Sequence, residues 1–475
     1  MITAREMNAL GLPNHPDIMP KALKEINQAV GRGRDRELTL RELADMISKP
    51  AAYTDHDLLA GLAGTLIEAY PDGVKKMMRQ TPAPWRRFGE INLEDSAVRQ
   101  MEDACWLPNA VRGALMPDAH TGYGLPIGGV LALKGAVAPY AVGVDIACRM
   151  RLTVTDLPLT QLKDKRDGLI TALETQTRFG IGAAFEGSDK RSHEVMDEDW
   201  VFCKVIKDNK DKAFKQLGSS GGGNHFVEFG ELTLPEAALG LDAGTYLALL
   251  SHSGSRGTGE SVALHYSKLA QSLLPGLPDN LRNLAWLDLD SEAGREYWAA
   301  MNLMGRYASA NHELIHAHIL KDLGAQALTF VENHHNFAWE EEHDGEPVIV
   351  HRKGATPASP GILGIVPGSM GAPGFIVQGK GQAGSLNSCS HGAGRLMSRT
   401  AAIKKFNEQD VRQYLRERNV HLISGGLDEA PMAYKDINAV MAAQADLVDI
   451  LARFDPRIVK MAPPETRGRR GRKNK

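Results

Sequence analysis

Glycine gathers beside histidine in this chain, and that pairing constrains the architecture more than any other feature. The 475 residues include 48 glycines, and dense groups of them adjoin a histidine: Gly218-Ser-Ser-Gly-Gly-Gly-Asn-His225, His252-Ser-Gly-Ser-Arg-Gly257 and His391-Gly-Ala-Gly394. Glycine adopts backbone conformations closed to other residues and lets a ligand come close to the main chain. Runs of this kind present backbone amides to an anion, so the chain is expected to be built around backbone-lined sites rather than low-complexity linkers.

Bulk properties narrow the class. Hydrophobic residues make up 43% of the chain and aromatics 6%, with a net charge of −3. That balance belongs to soluble globular proteins and argues against a uniformly basic nucleic-acid binder. The length allows two or three domains or one elaborate enzyme domain. The N-terminus lacks the apolar run of a secretory signal, and no stretch approaches membrane-spanning length. Cys105, Cys148, Cys203 and Cys389 are widely spaced, so a disulfide framework is not expected and a reducing cytoplasm is the expected location.

Residues 1–85 read as a helical N-terminal extension. Thr39 and Glu42 form a capping box ahead of Leu43 and Ile47, Pro50 stops that helix, and Leu59, Leu62 and Leu66 repeat at helical spacing in the next. Residues 86–461 carry the chemistry. Residues 462–475 form a basic tail, with Arg467, Arg469, Arg470, Arg472, Lys473 and Lys475, expected to be disordered and able to contact nucleic acid.

Two short motifs point toward other enzymes. Lys165-Arg-Asp-Gly168 spells the lysine signature of conventional nucleotidyltransferases, but it lies in a charged segment without an apolar strand around it. His312-Glu-Leu-Ile-His316 lies in a long helical pattern and matches the zinc metallopeptidase signature: two histidines one turn apart for the metal and Glu313 as general base. It is the rival reading.

The stretch Ser388–Arg399 concentrates the chemistry. His391 precedes Gly-Ala-Gly, with Arg395 and Arg399 following, so the stretch reads either as a neutral imidazole nucleophile meeting phosphate between small residues and guanidinium charge or as a histidine hydrogen-bonded in a glycine-rich turn. Asp145 and Cys148 could bring a carboxylate and a thiolate to a metal, although on this pair alone a small buried core thiol is the better reading of Cys148. Asn224, His225 and Glu228 follow a glycine run. Strict alternation would put His225 on the face opposite the other two, so the strand must bulge or begin after His225. His252 and Arg256, the Asn333-His-His-Asn336 block, Val350-His-Arg-Lys-Gly-Ala-Thr356 and the Pro367-Gly-Ser-Met370 turn complete the set.

Together these blocks resemble the RtcB family of RNA-splicing ligases, over about Leu107 to Lys460. The resemblance rests on Pro117-Asp-Ala-His120, Val142-Gly-Val-Asp-Ile-Ala-Cys148, Gly221-Gly-Gly-Asn-His-Phe-Val-Glu228, His252-Ser-Gly-Ser-Arg-Gly257, His334-His-Asn336, Arg352-Lys-Gly-Ala-Thr356, Pro367-Gly-Ser-Met-Gly371, Ser390-His-Gly-Ala-Gly-Arg395 and Asp428-Glu-Ala-Pro-Met-Ala-Tyr-Lys435. It implies a mixed α/β (α+β) fold of layered sheets flanked by helices. It implies a GTP- and manganese-dependent ligase that joins RNA 3′-phosphate or 2′,3′-cyclic phosphate ends to 5′-hydroxyl ends in tRNA splicing or RNA repair, with an archease-like activator as a possible partner.

On that resemblance His391 takes GMP. Cys148 bridges two manganese ions, with Asp145 and His225 at one and His252 and His335 at the other. Asn224, Asn336, Pro367, Gly368, Ser369, Met370, Gly392, Ala393 and Gly394 hold the nucleotide, Glu228 and Lys460 address the guanine, and Arg352, Lys353 and Arg395 meet RNA or phosphate. The chain departs from the family pattern at Arg149, Pro357, Gly374 and Phe375. Arg149 is expected beside the metal pair, and the lost hydroxyl at Gly374 is expected to bear on nucleotide or RNA-end preference.

Overall fold

The computed structural model describes residues 1–13, 15, 17–70, 78–79, 81–89, 93–274 and 276–463. The basic residues from Arg467 onward lie outside the described residues. The architecture is mixed α/β, with the sheets packed in layers against each other and against helices.

The N-terminal segment forms helices Met19–Gly31, Arg36–Ser48 and Ala60–Ala69, which bury Ile26, Leu43, Met46, Leu62 and Leu66 in a core of their own. Its second helix is capped one turn earlier than the sequence implied. Asp35 is the N-cap, accepting from the Leu38 N–H, and Thr39 lies inside the first turn with its hydroxyl donating to Asp35 O.

A five-stranded sheet takes the order Trp85–Arg87, Ala110–His120, Ile127–Leu133, Glu346–Lys353, Asn336–His343. One face, with Leu131, Leu133 and Ile349, packs on the helices Arg256–Leu273 and Glu292–Leu323. The other, with Ala114, Met116, Val130, Ala132, Val348 and Val350, packs against Val366, Phe375, Val377 and Val448 of the second sheet.

That second sheet has eight strands. Seven run in the order Leu363–Val366, Gly374–Gly379, Val448–Met461, Phe226–Leu234, Gly244–Ser253, Arg149–Thr155, Ala327–His334, and His421–Ser424 pairs with Val448–Met461. It curls until its edge strands meet, where the Ile365 N–H donates to Asn333 Oδ1 at 2.9 Å. Period-two alternation sorts its side chains. Ala248 and Leu250 join Met150, Leu152, Val331, Ile376 and Phe454 on the inner face, whereas Leu247 and Leu249 pack outward with Leu173, Ile315 and Ile319.

Antiparallel pairing is what assembles the site. Phe226 and Met150 both lie opposite His252, and Arg149 lies opposite His334. The start of Phe226–Leu234, the end of Gly244–Ser253, the start of Arg149–Thr155 and the end of Ala327–His334 therefore share one rim of the sheet.

Candidate active site and metal centre

Cys148 and His225 immediately precede their strands, His252 is the last residue but one of its strand, and His335 immediately follows one. The strand after the glycine run begins at Phe226, which leaves His225 free of the alternation that would have turned it away. All four side chains are buried. One ligand atom each from Cys148, His225 and His252 lies within 4.8 Å of the others. Cys148 Sγ is 3.0 Å from His252 Nε2 and 3.5 Å from His225 Nε2, and His252 Nε2 is 3.3 Å from His335 Nε2.

The outer hydrogen bonds of these rings leave a centre that could hold a cation. His225 Nδ1 donates to Ser220 O at 3.0 Å and His252 Nδ1 to Asn224 O at 3.1 Å, so in the neutral rings both Nε2 atoms are lone pairs. His225 Nε2 faces Asp145 Oδ2 at 2.9 Å, and His252 Nε2 faces both the thiol and His335. With both rings neutral, their two lone pairs converge with a carboxylate and a thiol, a donor set that a divalent cation suits. Burial keeps His252 and His335 well below the usual histidine range, and so neutral. Burial pushes the Cys148 thiol well up, with Asp145 adding to it, so only a bound cation would draw out the thiolate. Burial opposes ionisation of Asp145 too, but His225, where its ring is protonated and Nε2 carries a hydrogen, holds the carboxyl below the usual range.

His391 follows the short strand Ser388–Ser390, and its ring centroid is 5.0 Å from that of His335. Asp118, fully buried on Ala110–His120, binds the histidine from behind. Its Oδ2 accepts from His391 Nδ1 at 2.7 Å and from the backbone N–H groups of His391 and Gly392 at 3.1 and 3.3 Å. This fixes the proton on Nδ1 and leaves Nε2 as the nucleophilic atom. Burial works against the Asp118 charge, yet His391 and Lys435 hold the carboxyl below its usual range. The sequence reading assigned Asp118 no role. Its place in the Pro-Asp-Ala-His block was the available signal, but nothing in the sequence told which histidine it would meet.

A cleft of about 880 Å³ joins the two parts. Asp145, Cys148, Asn224, Glu228, His252, His335, Asn336, Lys353, the turn at 367–370, the 391–394 segment and Arg395 all line it. Burial raises the Glu228 carboxyl well above its usual range and lowers Lys353 to about 7. The Lys353 ammonium donates to Tyr123 O and Tyr140 O, and Asn336 accepts from the Gly354 N–H at 2.8 Å. Arg395 is held by Glu429 Oε2 at 2.9 Å, Tyr434 OH and Asp428 O.

Four expected placements are corrected. Arg352 has no exposed surface; it donates to Glu341, Ser388 Oγ and Leu386 O and lies over Trp339, so nothing is left for RNA. Lys460 pairs in register with Val227, while Glu228 pairs with Val459, so the lysine takes the opposite face and donates to Leu173 O and Glu174 O. Arg149 likewise turns from the metal ligands to Glu332 and His334. The zinc-helix reading fails because the ring nitrogens His312 Nδ1 and His316 Nε2 both bond Ser251 Oγ at 2.7 Å, His316 Nδ1 bonds Thr153 Oγ1, and Glu313 points to His193. Lys165, the other alternative nucleophile, is an exposed residue at the start of the helix Arg166–Gln176.

Residues 100–461 match the family described as tRNA-splicing ligase RtcB. The chain belongs to the RtcB family. It is 34% identical over 388 residues to the RNA-splicing ligase RtcB of Escherichia coli strain K12, covering 76% of this chain and 93% of that one. It is 32% identical to the tRNA-splicing ligase RtcB of Archaeoglobus fulgidus (77% and 90% covered) and 29% identical to that of Thermococcus kodakarensis (81% and 95%). RtcB membership makes the chain an RNA ligase, and no described helix is long and apolar enough to cross a membrane.

Proposed function

We propose that this ligase joins RNA 3′-phosphate or 2′,3′-cyclic phosphate ends to 5′-hydroxyl ends through a GMP–histidine intermediate on His391, with GTP as co-substrate. The observation that carries this reading is an imidazole whose Nδ1 proton is held by a buried carboxylate while Nε2 lies in the cleft beside the cysteine–histidine centre. His391 Nε2 attacks the α-phosphorus of GTP. A P–N bond forms, the α–β P–O bond breaks and pyrophosphate leaves. GMP then passes to the RNA 3′-phosphate and becomes the leaving group when the 5′-hydroxyl attacks.

The donor set suits divalent cations, and the family resemblance makes them manganese: Asp145, Cys148 and His225 would hold one, and Cys148, His252 and His335 the other. Bound there, they would supply charge neutralisation at the reacting phosphates. The glycine amides of 392–394 and the 367–370 turn suit the nucleotide phosphates, and Lys353 and Arg395 add cationic charge on the cleft wall. Glu228, buried and inclined to be neutral, faces the cleft without Lys460, so it would address the guanine alone. RNA entering past Tyr123, an exposed ring on the rim, would meet a face fit for stacking.

Labelled GTP and manganese should give an acid-labile, base-stable protein adduct in the wild type and none in His391→Ala. An undiminished adduct in that variant would move the nucleophile elsewhere.

A further inference from the structure

Lys435 lies outside the cleft lining and is the buried lysine nearest the nucleophile's carboxylate. The segment carrying it runs alongside the nucleophile loop. Arg395 and Tyr434 form an isolated antiparallel bridge, the Leu396 N–H donates to Ala433 O at 2.8 Å and the Lys435 N–H to Gly394 O at 3.0 Å. From there the side chain crosses to the strand Ala110–His120. Its ammonium donates to Pro117 O at 3.1 Å and Ala119 O at 2.9 Å, the carbonyls on either side of Asp118, and the residue is only 5% exposed. The two backbones touch where they meet: Gly394 has φ +72°, and a Cβ there would run into Asp118 O.

We infer that Lys435 is the positioning residue for nucleotidyl transfer, a staple that sets Asp118 against His391 without touching nucleotide or RNA. The inference rests on His391 being the nucleophile. The geometry explains why a charged lysine is buried at this point. Asp118 Oδ2 accepts three N–H donors from one loop, so its aim depends on the spacing between that loop and its strand. Lys435 is bonded to both through one residue, its N–H to the loop and its ammonium to the strand. A few tenths of an ångström lost here would swing His391 Nε2 off line with an α-phosphorus. A lysine that merely filled the space would be replaceable by a chain of equal length, because nothing downstream would read its hydrogen bonds.

The test is a double-mutant cycle on the full chain with manganese and labelled GTP, reading the single-turnover rate of adduct formation and, separately, GTP affinity. Lys435→Met keeps the length and removes the donors; Lys435→Gln restores one donor; Asp118→Asn removes the carboxylate. Lys435→Met should slow adduct formation on the order of 10- to 100-fold, by analogy with the loss of groups that orient metal ligands. GTP affinity should change less than about twofold, and Lys435→Gln should recover part of the rate. In the Asp118→Asn background, Lys435→Met should have almost no further effect, because residues acting as one unit are not additive. Rate losses that multiply across the cycle, a loss of GTP affinity in place of rate, or two lysine variants that both fail to fold would assign Lys435 to the fold and overturn the inference. A wild type that forms no adduct at all would instead fall on the functional reading, since the staple acts only on a step that occurs.

Discussion

Two buried histidine groups lie on either side of the strand Gly244–Ser253, one residue apart in sequence and opposite in chemistry. Ser251 points outward and engages His312 and His316, while His252 joins His225, His335 and Cys148. All these histidines are buried, and in His252, His316 and His335 burial drives the ring well below its usual range. The difference is in what the other ring nitrogen touches. At the rim, backbone carbonyls take the Nδ1 protons of His225 and His252 and leave their lone pairs converging on a thiol. On the long helix, serine and threonine hydroxyls occupy His316 at both nitrogens and tie it to His312. Histidine spacing therefore does not distinguish a ligand from a strut; for His225, His252 and His316 the partner of the second nitrogen does.

The largest effect expected from this contrast is at Cys148. Cys148→Ser should lower bound manganese and cut guanylylation on the order of 100-fold or more, since a serine hydroxyl does not replace a thiolate between weakly held metals. Cys148→Ala should do the same while costing only about 1 kcal/mol of stability for a small cavity. Metal analysis and thermal unfolding of both variants would check this. Full metal content and full activity in each would make the thiol a packing residue and erase the contrast.

On the strut side the effects reverse. His316→Ala strands the Thr153 hydroxyl and half the Ser251 network in a buried site, so it should destabilise by about 3–5 kcal/mol through the cavity and the unpaired groups. Metal content of the folded fraction should stay at the wild-type level. A variant that unfolds no more easily but loses metal would reinstate the helix as a metal site.

Glu332 offers a pH test of the same region. Burial alone would raise its carboxyl, but Arg149 and then His312 and Arg151 bring it down to about 2, against an ordinary 4.5. A carboxyl lowered in the folded state contributes stability that is fully present above pH 4.5 and is lost as pH falls through about 2. The shift corresponds to roughly 3 kcal/mol. Glu332→Gln should therefore be less stable at neutral pH, with the gap to wild type closing between about pH 4.5 and 2. A gap that persists unchanged in acid would mean that the arginines are not paired as described. The smallest effect is expected for Ser251→Ala, about 1–2 kcal/mol with adduct formation intact, because the histidines it joins do not reach the cleft.

Much of the site was legible in the chain because its elements are local. The glycine runs announced backbone-lined loops, and the linked blocks named Cys148, His225, His252, His335 and His391 as a set. The capping error at Thr39 had a local cause too: Asp35, four residues earlier, is an equally good cap, and the sequence does not say which one the helix begins from.

What the sequence by itself determined was the inventory: which thiol, carboxylates and imidazoles belong to the family's blocks, and that the chain is an RNA ligase of that family. Only the tertiary structure decided their aim. Strand register sent Lys460 to the face opposite Glu228, Arg352 was drawn inward to Glu341 and Trp339, and Arg149 turned to Glu332. Asp118 met His391 across 273 residues of chain. Apart from Arg352, which meets Glu341 across one hairpin, these placements follow from pairing between distant strands, where a shift of one residue exchanges one face for the other, and no local stretch of sequence carries that information.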